Sequence, residues 1–331
     1  MKFLFIIDPI HRLDPGHDTS VALMEAVQEF GHEVWVTEAV HLSVANSKAW
    51  ALAQVARLVP VKLVEGRWVA EMNWYHLGDR TLVCLDEMDV VLMRTDPPVD
   101  VSYLYATYIL DYVDPTRTLV INSPRGLRHA NEKMYALQFT EVIPTTIVSQ
   151  DKQVIRKFVE EQGIAVIKPL GGKGGEGILL VEPGDRNFNS LVEISTHHHK
   201  FPVMVQAYLP QAKDGDKRVI LLNGEPIGAV NRIPTGSEFR GNMAVGGRVA
   251  AVDMTERDRQ ICASLAPTLR RDGLIFVGID VIGGYLTEVN VTSPTGIREI
   301  DRLNQVQLGK TVVEWAINQC AQVASPSVIA S

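Results

Sequence analysis

Two carboxylates and a carboxamide interrupt a strand-like stretch in the C-terminal part of the chain. Asp280, Glu288 and Asn290 lie in GIDVIGGYLTEVNVTSPTG, residues 278–296, among Val, Ile, Leu and Tyr. In a strand, Glu288 and Asn290 would share one face. Two facing carboxylates repel each other unless a proton or a cation lies between them, and hard oxygen ligands suit Mg²⁺. The alternative to a metal site is a solvated hairpin that carries chance acids.

The connection between the two predicted strands decides whether Asp280 joins the other two residues. A three-residue connection, 283–285, would place Asp280 directly opposite Glu288. A two-residue turn at Gly283 and Gly284 would put them on opposite faces, because a slip of one residue reverses every side chain. The sequence leaves both connections open.

A glycine-rich stretch, VIKPLGGKGGEGILLVE at 166–182, follows a predicted strand that ends at Lys168. Its glycines formally match the dinucleotide fingerprint, but a strand follows where a helix is needed, and no Walker A loop is present. A glycine-rich hairpin between two strands can instead lay backbone N–H groups over phosphates, and lysines add charge. The alternative is a flexible surface turn. The candidate phosphate-binding glycines are Gly172, Gly174 and Gly175.

Arginines mark two further candidate regions. Arg232, Arg240 and Arg248 are spaced through small residues in RIPTGSEFRGNMAVGGR. This pattern suits either a segment that closes over an anionic substrate or an ordinary exposed loop. Arg218 begins a predicted strand, where its guanidinium could face phosphate or carboxylate. Arg94 ends another predicted strand, a position at which open α/β sheets place ligand contacts.

The bulk composition narrows the class of protein. The chain has 331 residues, 46% hydrophobic and 21% charged, with a formal net charge of -7. This charge argues against a general nucleic-acid or anionic-membrane surface. Three separated cysteines predict reduced thiols in a cytoplasmic protein. No apolar run reaches transmembrane length, and the run at 2–7 stops at Asp8 and Pro9, which favours a buried first strand.

The candidate site residues need strands and helices to position them. The N-terminal part of the sequence predicts a β-α-β unit. Strands are predicted at 2–8 and 32–38 around a helix at 17–31, which indicates a parallel sheet. Further strands are predicted at 89–94 and 118–123, so the first 120 residues or so form an open α/β domain. The segment 41–81 has no clean period and stays unassigned. A helix is predicted at 128–139.

The remainder alternates strands with three helices. Strands are predicted at 142–148 and 165–170, around a helix at 152–163, and residues 201–234 are rich in strands. A helix at 255–273 begins with Thr255 as cap and Asp258 in a capping-box position. A closing helix is predicted at 307–323. The three histidines at 197–199 lack a zinc-site spacing and are predicted to lie in a polar connection.

Taken together, these motifs resemble the ATP-grasp superfamily, and within it the prokaryotic type of glutathione synthetase. The resemblance extends from residue 1 to about residue 317, is weakest at 41–81 and is absent from the final tail. It is carried by FIIDPI, LMRTDPPVDVSYLYATYIL, VINSPRGLRHANEKMYA, QAYLPQAKDGDKRV, NGEPIG with RIPTGSEFRGNMAVGGR, and GLIFVGIDVIGGYLTEVNVTSPTGIREI.

The resemblance implies an α/β ATP-grasp fold in three parts. An N-terminal Rossmann-like pre-ATP-grasp domain is expected at 1–122, a small central lid domain at 123–203 and a C-terminal sheet domain with the metal site at 204–317. A tail is expected at 318–331. ATP is expected between the second and third parts.

The resemblance also implies roles for individual residues. Asp280, Glu288 and Asn290 are expected to bind two Mg²⁺ (or Mn²⁺) ions with ATP as cosubstrate. The expected catalytic residues are Arg218, Arg232 and Arg240. The expected substrate-binding residues are Arg94, Asn122, Ser123, Arg218, Ser293 and Arg298. The expected nucleotide-binding residues are Lys133, Lys168, Gly172, Gly174, Gly175, Gln206, Ala207, Tyr208, Leu209 and Asp216.

The reaction that the resemblance implies joins γ-glutamylcysteine to glycine with ATP, through an acyl phosphate, and gives glutathione, ADP and phosphate. Segments 233–247 and 171–177 are the expected covers of the site. The implied partners are these small molecules, with no nucleic acid and no membrane, and the resemblance implies a homo-oligomer, a tetramer. Alternatives are a D-alanine–D-alanine ligase-like or glutamate-adding ATP-grasp ligase, and a nucleotide-binding regulator without chemistry.

Overall fold

The strands near the N-terminus form a mixed sheet of eight strands. The computed structural model describes residues 1–236, 241 and 247–324. Strand β1 pairs in parallel with β2 and β9, and β9 with β10, whereas β4 is antiparallel to β2, β3, β7 and β8. Strands β5 and β6 form a separate hairpin. The strands are β1 Lys2–Ile6, β2 Glu33–Thr37, β3 Leu42–Ala45, β4 Lys48–Leu58, β5 Lys62–Val64, β6 Arg67–Val69, β7 Tyr75–Leu77, β8 Thr81–Cys84, β9 Val90–Met93 and β10 Leu119–Ile121.

The predicted β-α-β unit at the N-terminus is confirmed. The segment that the sequence left unassigned consists of strands that pair antiparallel. Helix α1, Thr19–Glu29, begins at Asp18, whose carboxylate accepts hydrogen bonds from two backbone N–H groups. Strands β3 to β8 occupy the segment 41–81. Apart from β4, these strands are only three or four residues long, too short to show a clear period. Helix α2 is Val101–Leu110.

The predicted helix at 128–139 is wrong. Helix α3, Pro124–His129, ends at that point, and a 3-10 helix, Met134–Gln138, follows after a break. The Asn131 side chain accepts hydrogen bonds from the N–H groups of Lys133 and Met134, so a local side-chain bond replaces the helical pattern.

The second sheet is small and antiparallel, in the order β11-β14-β12-β13. Its helices α4, Lys152–Gln162, and α5, Phe188–Ser195, cover it through a hydrophobic cluster of its own. The predicted domain boundary after residue 203 falls inside β14, so a boundary that keeps this sheet whole lies beyond Ala207. The strands are β11 Thr146–Ser149, β12 Ala165–Pro169, β13 Leu179–Val181 and β14 Val203–Ala207.

The third sheet is antiparallel, in the order β17-β16-β15-β18-β19. Helix α6, Glu256–Arg271, starts with the predicted capping box, and α7, Ile297–Asn304, follows β19. Helix α8, Leu308–Ala324, shows that the tail predicted from residue 318 starts inside a helix. The strands are β15 Asp216–Leu222, β16 Glu225–Ile233, β17 Arg248–Ala251, β18 Phe276–Ile282 and β19 Tyr285–Asn290.

The first and third sheets are packed together, whereas the second sheet is not part of their cores. One buried cluster contains Phe3 and Phe5 of β1, Ile220 of β15 and Phe276 of β18. The cluster of the second sheet, around Ile155, shares no residue with it. The small sheet therefore has a hydrophobic core separate from the rest of the described chain.

Candidate active site

A cavity of about 680 Å³ lies where the three sheets meet. Its wall takes residues from β12 and β14 of the second sheet and from four strands of the third sheet, with residues that follow β9 of the first sheet. Many of the predicted site residues line this one cavity. They are Lys133, Lys168, Gly172, Gly174, Gly175, Gln206, Ala207, Tyr208, Leu209, Asp216, Arg218, Arg232, Asp280, Glu288, Asn290 and Ser293.

A bulge brings Asp280 and Glu288 opposite each other. The turn is the two-residue one, at Gly283 and Gly284, and Ile282 pairs with Tyr285. The register then shifts between Asp280 and Val281, and Asp280 pairs with Glu288. An extra residue in one strand restores the face that a two-residue turn would otherwise reverse. The tight turn and the facing carboxylates are therefore compatible.

Two arginines neutralise the Asp280 carboxylate. Arg218 donates from Nε to Oδ1 at 2.5 Å and from Nη2 to Oδ2 at 3.1 Å, and Arg232 Nη2 lies 2.9 Å from the same Oδ2. Arg232 also donates to Asp216 at 2.5 Å. Burial raises the pKa of Asp280, but the two guanidinium groups outweigh it and hold this pKa below its ordinary value. Burial raises the pKa of Asp216.

Lys133 and Lys168, the two predicted phosphate-binding lysines, form hydrogen bonds with other residues of the cavity wall. Lys133 Nζ lies 2.9 Å from Glu288 Oε1 and donates to the carbonyl of Gly172 at 2.7 Å. Lys168 Nζ donates to Gln206 Oε1 at 2.6 Å, and burial lowers the pKa of Lys168. Lys133 thus connects the glycine-rich loop to the Glu288 carboxylate of the third sheet, whereas Lys168 connects β12 to β14 within the second sheet.

The glycine-rich stretch is the hairpin that the sequence predicts, between β12 and β13. Gly174, Gly175 and Gly177 all have positive φ, at 60°, 83° and 68°, which a residue with a side chain adopts only with strain. The close fit of the backbone along the cavity therefore depends on glycine. Lys173 in this loop reaches across the cavity, and its Nζ lies 3.1 Å from Asp96 Oδ2.

Several buried polar atoms of the wall have no hydrogen-bond partner among the described residues. They belong to cavity-lining side chains, and buried polar atoms are otherwise nearly always paired. They are Gln206 Nε2, Asp216 Oδ1, Arg232 Nε and Asn290 Nδ2. Such atoms indicate a polar ligand in the cavity.

The donor set fits divalent cations only in combination with other oxygens. Within the described residues, no group of three or more His, Cys, Asp and Glu side chains has metal-binding geometry. Asp280 and Glu288 supply two carboxylates and Asn290 a carboxamide, all on neighbouring strands. Hard cations of this kind take their remaining ligands from water or phosphate. The residues present therefore fit a metal–nucleotide complex better than a metal ion bound by protein alone.

Asn122 and Ser123, predicted as substrate-binding residues, do not line the cavity. The Asn122 amide donates to the carbonyls of Phe276 and Val291 and accepts from two N–H groups, all at 2.8 Å. Its hydrogen-bonding capacity is used to join β10 to the third sheet. Ser123 caps α3.

Arg94 and Arg298, also predicted to bind substrate, lie behind the cavity lining. Arg94 donates to Ser20 Oγ and to the carbonyl of Pro294, so it supports the loop that carries Ser293. Arg298 lies 2.8 Å from Glu25. Arg240, predicted as catalytic, is outside the residues that the structure describes.

The cavity-lining residues that were not predicted include three with titratable side chains, His17, Asp96 and Glu132. Glu132 directly precedes Lys133, and Asp96 follows Arg94 in a quoted motif, so their positions carried a signal. His17 Nδ1 lies 2.5 Å from Glu299 Oε1, and this hydrogen bond raises the pKa of His17. Nothing local in the sequence links residue 17 to residue 299.

Comparison of folds identifies the class of the protein. The structure of the ATP-grasp ligase PsnB, complexed with minimal precursor, Mg and ADP, superposes with a TM-score of 0.61 over 96% of this chain and 98% of that chain, at 16% identity. The fold is an ATP-grasp fold, and its cavity lies between the small second sheet and the third sheet. This likeness defines the fold class of the chain.

Sequence comparison identifies the family. The model of the prokaryotic glutathione synthetase N-terminal domain matches residues 1–128, and that of its ATP-grasp domain matches residues 132–305. A glutathione synthetase of a Nostoc species is 67% identical over 95% of this chain and 97% of its own length. One of a Synechocystis species is 64% identical over 96% and 100%. The chain belongs to the prokaryotic glutathione synthetase family.

This family uses ATP and divalent metal ions with small-molecule substrates. Among the described residues, no helix combines the length and apolar character needed to cross a bilayer.

Proposed function

We propose that the chain joins γ-glutamylcysteine to glycine, with conversion of ATP to ADP and phosphate, and forms glutathione. The observation that carries the proposal is the single cavity in which lysines, arginines, a glycine loop and three oxygen donors meet. Relatives at 67% and 64% identity are glutathione synthetases, which supports this choice of substrates.

The chemistry needs an activated carboxylate. The cysteinyl carboxylate oxygen attacks the γ-phosphorus of ATP, the bond to the β-phosphate oxygen breaks, and ADP leaves. The glycine amine then attacks the acyl-phosphate carbonyl, loses a proton, and phosphate leaves. We assign Arg218 and Arg232 to the transferring phosphoryl group and the later oxyanion, because both guanidinium groups are buried and converge on one point of the wall.

The oxygen donors and the lysines would hold the triphosphate. We assign Asp280, Glu288 and Asn290 to two Mg²⁺ or Mn²⁺ ions, which neutralise phosphate charge when bound. Lys133 and Lys168 would contact phosphate oxygens directly. The remaining proposed nucleotide contacts are Gly172, Gly174, Gly175, Gln206, Ala207, Tyr208, Leu209 and Asp216.

Water exclusion is the remaining requirement, since water hydrolyses an acyl phosphate. The hairpin at 171–177 forms one wall of the cavity and is the cover we propose. Segment 233–247, with Arg240, is the second proposed cover. Ser293 would contact the peptide substrate. Arg94, Asn122, Ser123 and Arg298 would act on substrate binding only through the elements that they hold. A tetrameric assembly and a cytoplasmic location remain predictions from family resemblance.

The experiment measures ADP release from ATP and Mg²⁺ with γ-glutamylcysteine plus glycine, and with each omitted in turn. The proposal expects ADP formation to need both substrates and a tripeptide product by mass. A parallel reaction with D-alanine tests the related ligases. ADP release only with D-alanine would keep the class and reject the substrates.

A double variant, Asp280→Asn with Glu288→Gln, tests the metal assignment. We expect a loss of turnover on the order of 100-fold or more, because both carboxylates that would neutralise and orient the metal–nucleotide complex are gone. Asp86→Asn, which alters a buried carboxylate of the N-terminal domain outside the cavity, is the control and should keep its activity. Near-normal turnover of the double variant would reject the assignment.

A further inference from the structure

The segment 131–133 joins the glycine-rich loop to the strand that carries Glu288 and Asn290. Asn131 Nδ2 donates to the carbonyl of Leu170 at 3.1 Å, where the loop begins. Lys133 bonds both to the loop and to Glu288. The residue between them, Glu132, also lines the cavity and has no role in the proposed reaction.

Glu132 holds the backbone on both sides of Asn290. Its Oε1 accepts hydrogen bonds from Val291 N at 2.9 Å, Thr292 N at 3.0 Å and Thr292 Oγ1 at 2.8 Å. Its own carbonyl accepts from Val289 N at 2.9 Å. These N–H groups lie at the edge of the third sheet, where β19 ends and a ladder partner is missing. Glu132 therefore fixes the direction in which the chain leaves Asn290.

The hydrogen bonds that Glu132 accepts from the backbone do not require a negative charge. A glutamine of the same length could accept from the same groups with its neutral amide oxygen. Burial, and then the neighbouring Glu288 carboxylate, raise the pKa of Glu132. Lys133 pairs with Glu288, whereas no Lys or Arg among the described residues forms an ion pair with Glu132, so hydrogen bonds alone offset the charge of Glu132. The charge is thus costly to the empty protein and favourable to a cation in the cavity.

We propose that Glu132 is a positioning residue of the metal site, which holds the strand end at Asn290 and whose charge strengthens divalent-cation binding beside Glu288. This inference rests on the proposed metal role of Asp280, Glu288 and Asn290. Residues behind the direct ligands commonly change metal affinity by about 10- to 100-fold when they are altered.

The test compares Mn²⁺ binding to the full chain in the presence of ADP, measured by titration calorimetry, for the wild type and Glu132→Gln. The glutamine keeps size and an acceptor but removes the charge. We expect the Mn²⁺ dissociation constant to rise about 10-fold, and the thermal midpoint without metal to stay equal or rise. A dissociation constant within twofold of wild type would overturn the inference.

Two matched variants separate charge from structure. Thr292→Val removes one donor and keeps the charge, so Mn²⁺ affinity should stay within about twofold of wild type. Asp86→Asn alters a carboxylate of the N-terminal domain that also accepts from a backbone N–H, Asp114 N, and should leave Mn²⁺ affinity unchanged. An equal loss of affinity in either variant would show a general structural effect and overturn the inference.

Failure of the inference and failure of the proposed function give different results. If the wild type with ADP does not bind Mn²⁺, the metal assignment itself falls. If the wild type binds and Glu132→Gln binds equally, only the role of Glu132 falls. Should Glu132→Gln not fold, Glu132→Asp replaces it, because the shorter side chain moves the charge away from Val291 and Thr292. Unchanged Mn²⁺ affinity in Glu132→Asp would overturn the inference.

Discussion

At the residue scale, both carboxylates that we assign to the metal ions are paired with cations of the chain. Asp280 is paired with Arg218 and Arg232, and Glu288 with Lys133. A buried charge needs such a partner, because the interior cannot solvate it. The cations that stabilise the ligand-free wall are the same groups that we assign to phosphate. Arrival of a metal–nucleotide complex would therefore exchange one set of ion pairs for another.

Outside the site, Asp301 gives a pH-dependent prediction. Burial raises the pKa of Asp301 to about 6, from an ordinary value of 3.8. A raised folded-state pKa means that the charged form destabilises the fold. This cost is complete above about pH 6 and disappears as the pH falls towards 3.8. Asp301→Asn should therefore raise the thermal midpoint at pH 7.5, and the gain should shrink between pH 6 and pH 4.

The measurement is thermal denaturation of both proteins across that pH range. Asp301 accepts a hydrogen bond from Leu308 N, and asparagine can still accept it. Asp114→Asn is a control of opposite sign, because hydrogen bonds from Thr116 lower the pKa of Asp114 and its charged form stabilises the fold. A midpoint difference for Asp301→Asn that does not change with pH would reject ionisation as the cause.

At the element scale, a three-residue left-handed run ends helix α5. His197, His198 and His199 have φ values of 48°, 58° and 64°. The N–H groups of His197 and His198 donate to Ile194 and Glu193 carbonyls at the helix end, so the run closes the helix. Residues with a side chain adopt this conformation at a cost of about 1–2 kcal/mol each. The three histidines therefore end the helix in a strained backbone conformation, and this role does not involve metal binding.

His198→Gly should increase the free energy of unfolding by about 0.5–1 kcal/mol. Glycine removes the steric cost of the left-handed conformation, but its greater backbone freedom in the unfolded chain offsets part of that gain. The His198 side chain is exposed, so little packing is lost. Chemical denaturation measures the change. His76→Gly, at an exposed position of β7 with ordinary strand geometry, is the control and should destabilise. Equal destabilisation by both changes would contradict this account.

At the scale of the whole molecule, the second sheet has its own core, and the Lys173–Asp96 ion pair connects its glycine-rich loop to the first domain. The two side chains are about half exposed, at 52% and 44%, so the pair adds little to overall stability. Because the ion pair spans the cavity, it favours the arrangement in which the hairpin at 171–177 covers the site.

Lys173→Met should therefore increase the ratio of ADP released to glutathione formed, because a looser cover admits water to the acyl phosphate. Asp96→Asn should have the same effect, and the double variant should add little to either single change. Parallel assays of ADP and tripeptide measure the ratio. Lys157→Met, which removes an exposed ion pair within α4, is the control. An unchanged ratio in Lys173→Met would reject a covering role for the pair.

Local sequence determined the elements and the types of the site residues. Thr255 caps its helix as predicted, and Asp18 caps α1 in the same way, since a cap involves groups only two or three residues apart. The strand–glycine–strand pattern at 165–181 and the acids of β18 and β19 are likewise local patterns. Their chemistry pointed to a phosphate and metal site before any contact between them was known.

Only the tertiary structure decided which of these residues meet. The bulge at Asp280 and the saturated amide of Asn122 each depend on a partner or a register that the local pattern does not contain. Other contacts join residues that are far apart in sequence. His17 is hydrogen-bonded to Glu299, and Glu132 accepts hydrogen bonds from the backbone of Val291 and Thr292. Short-range preferences fix the elements, but packing of three sheets brings distant side chains within hydrogen-bond distance, and that distance determines the chemistry of the cavity.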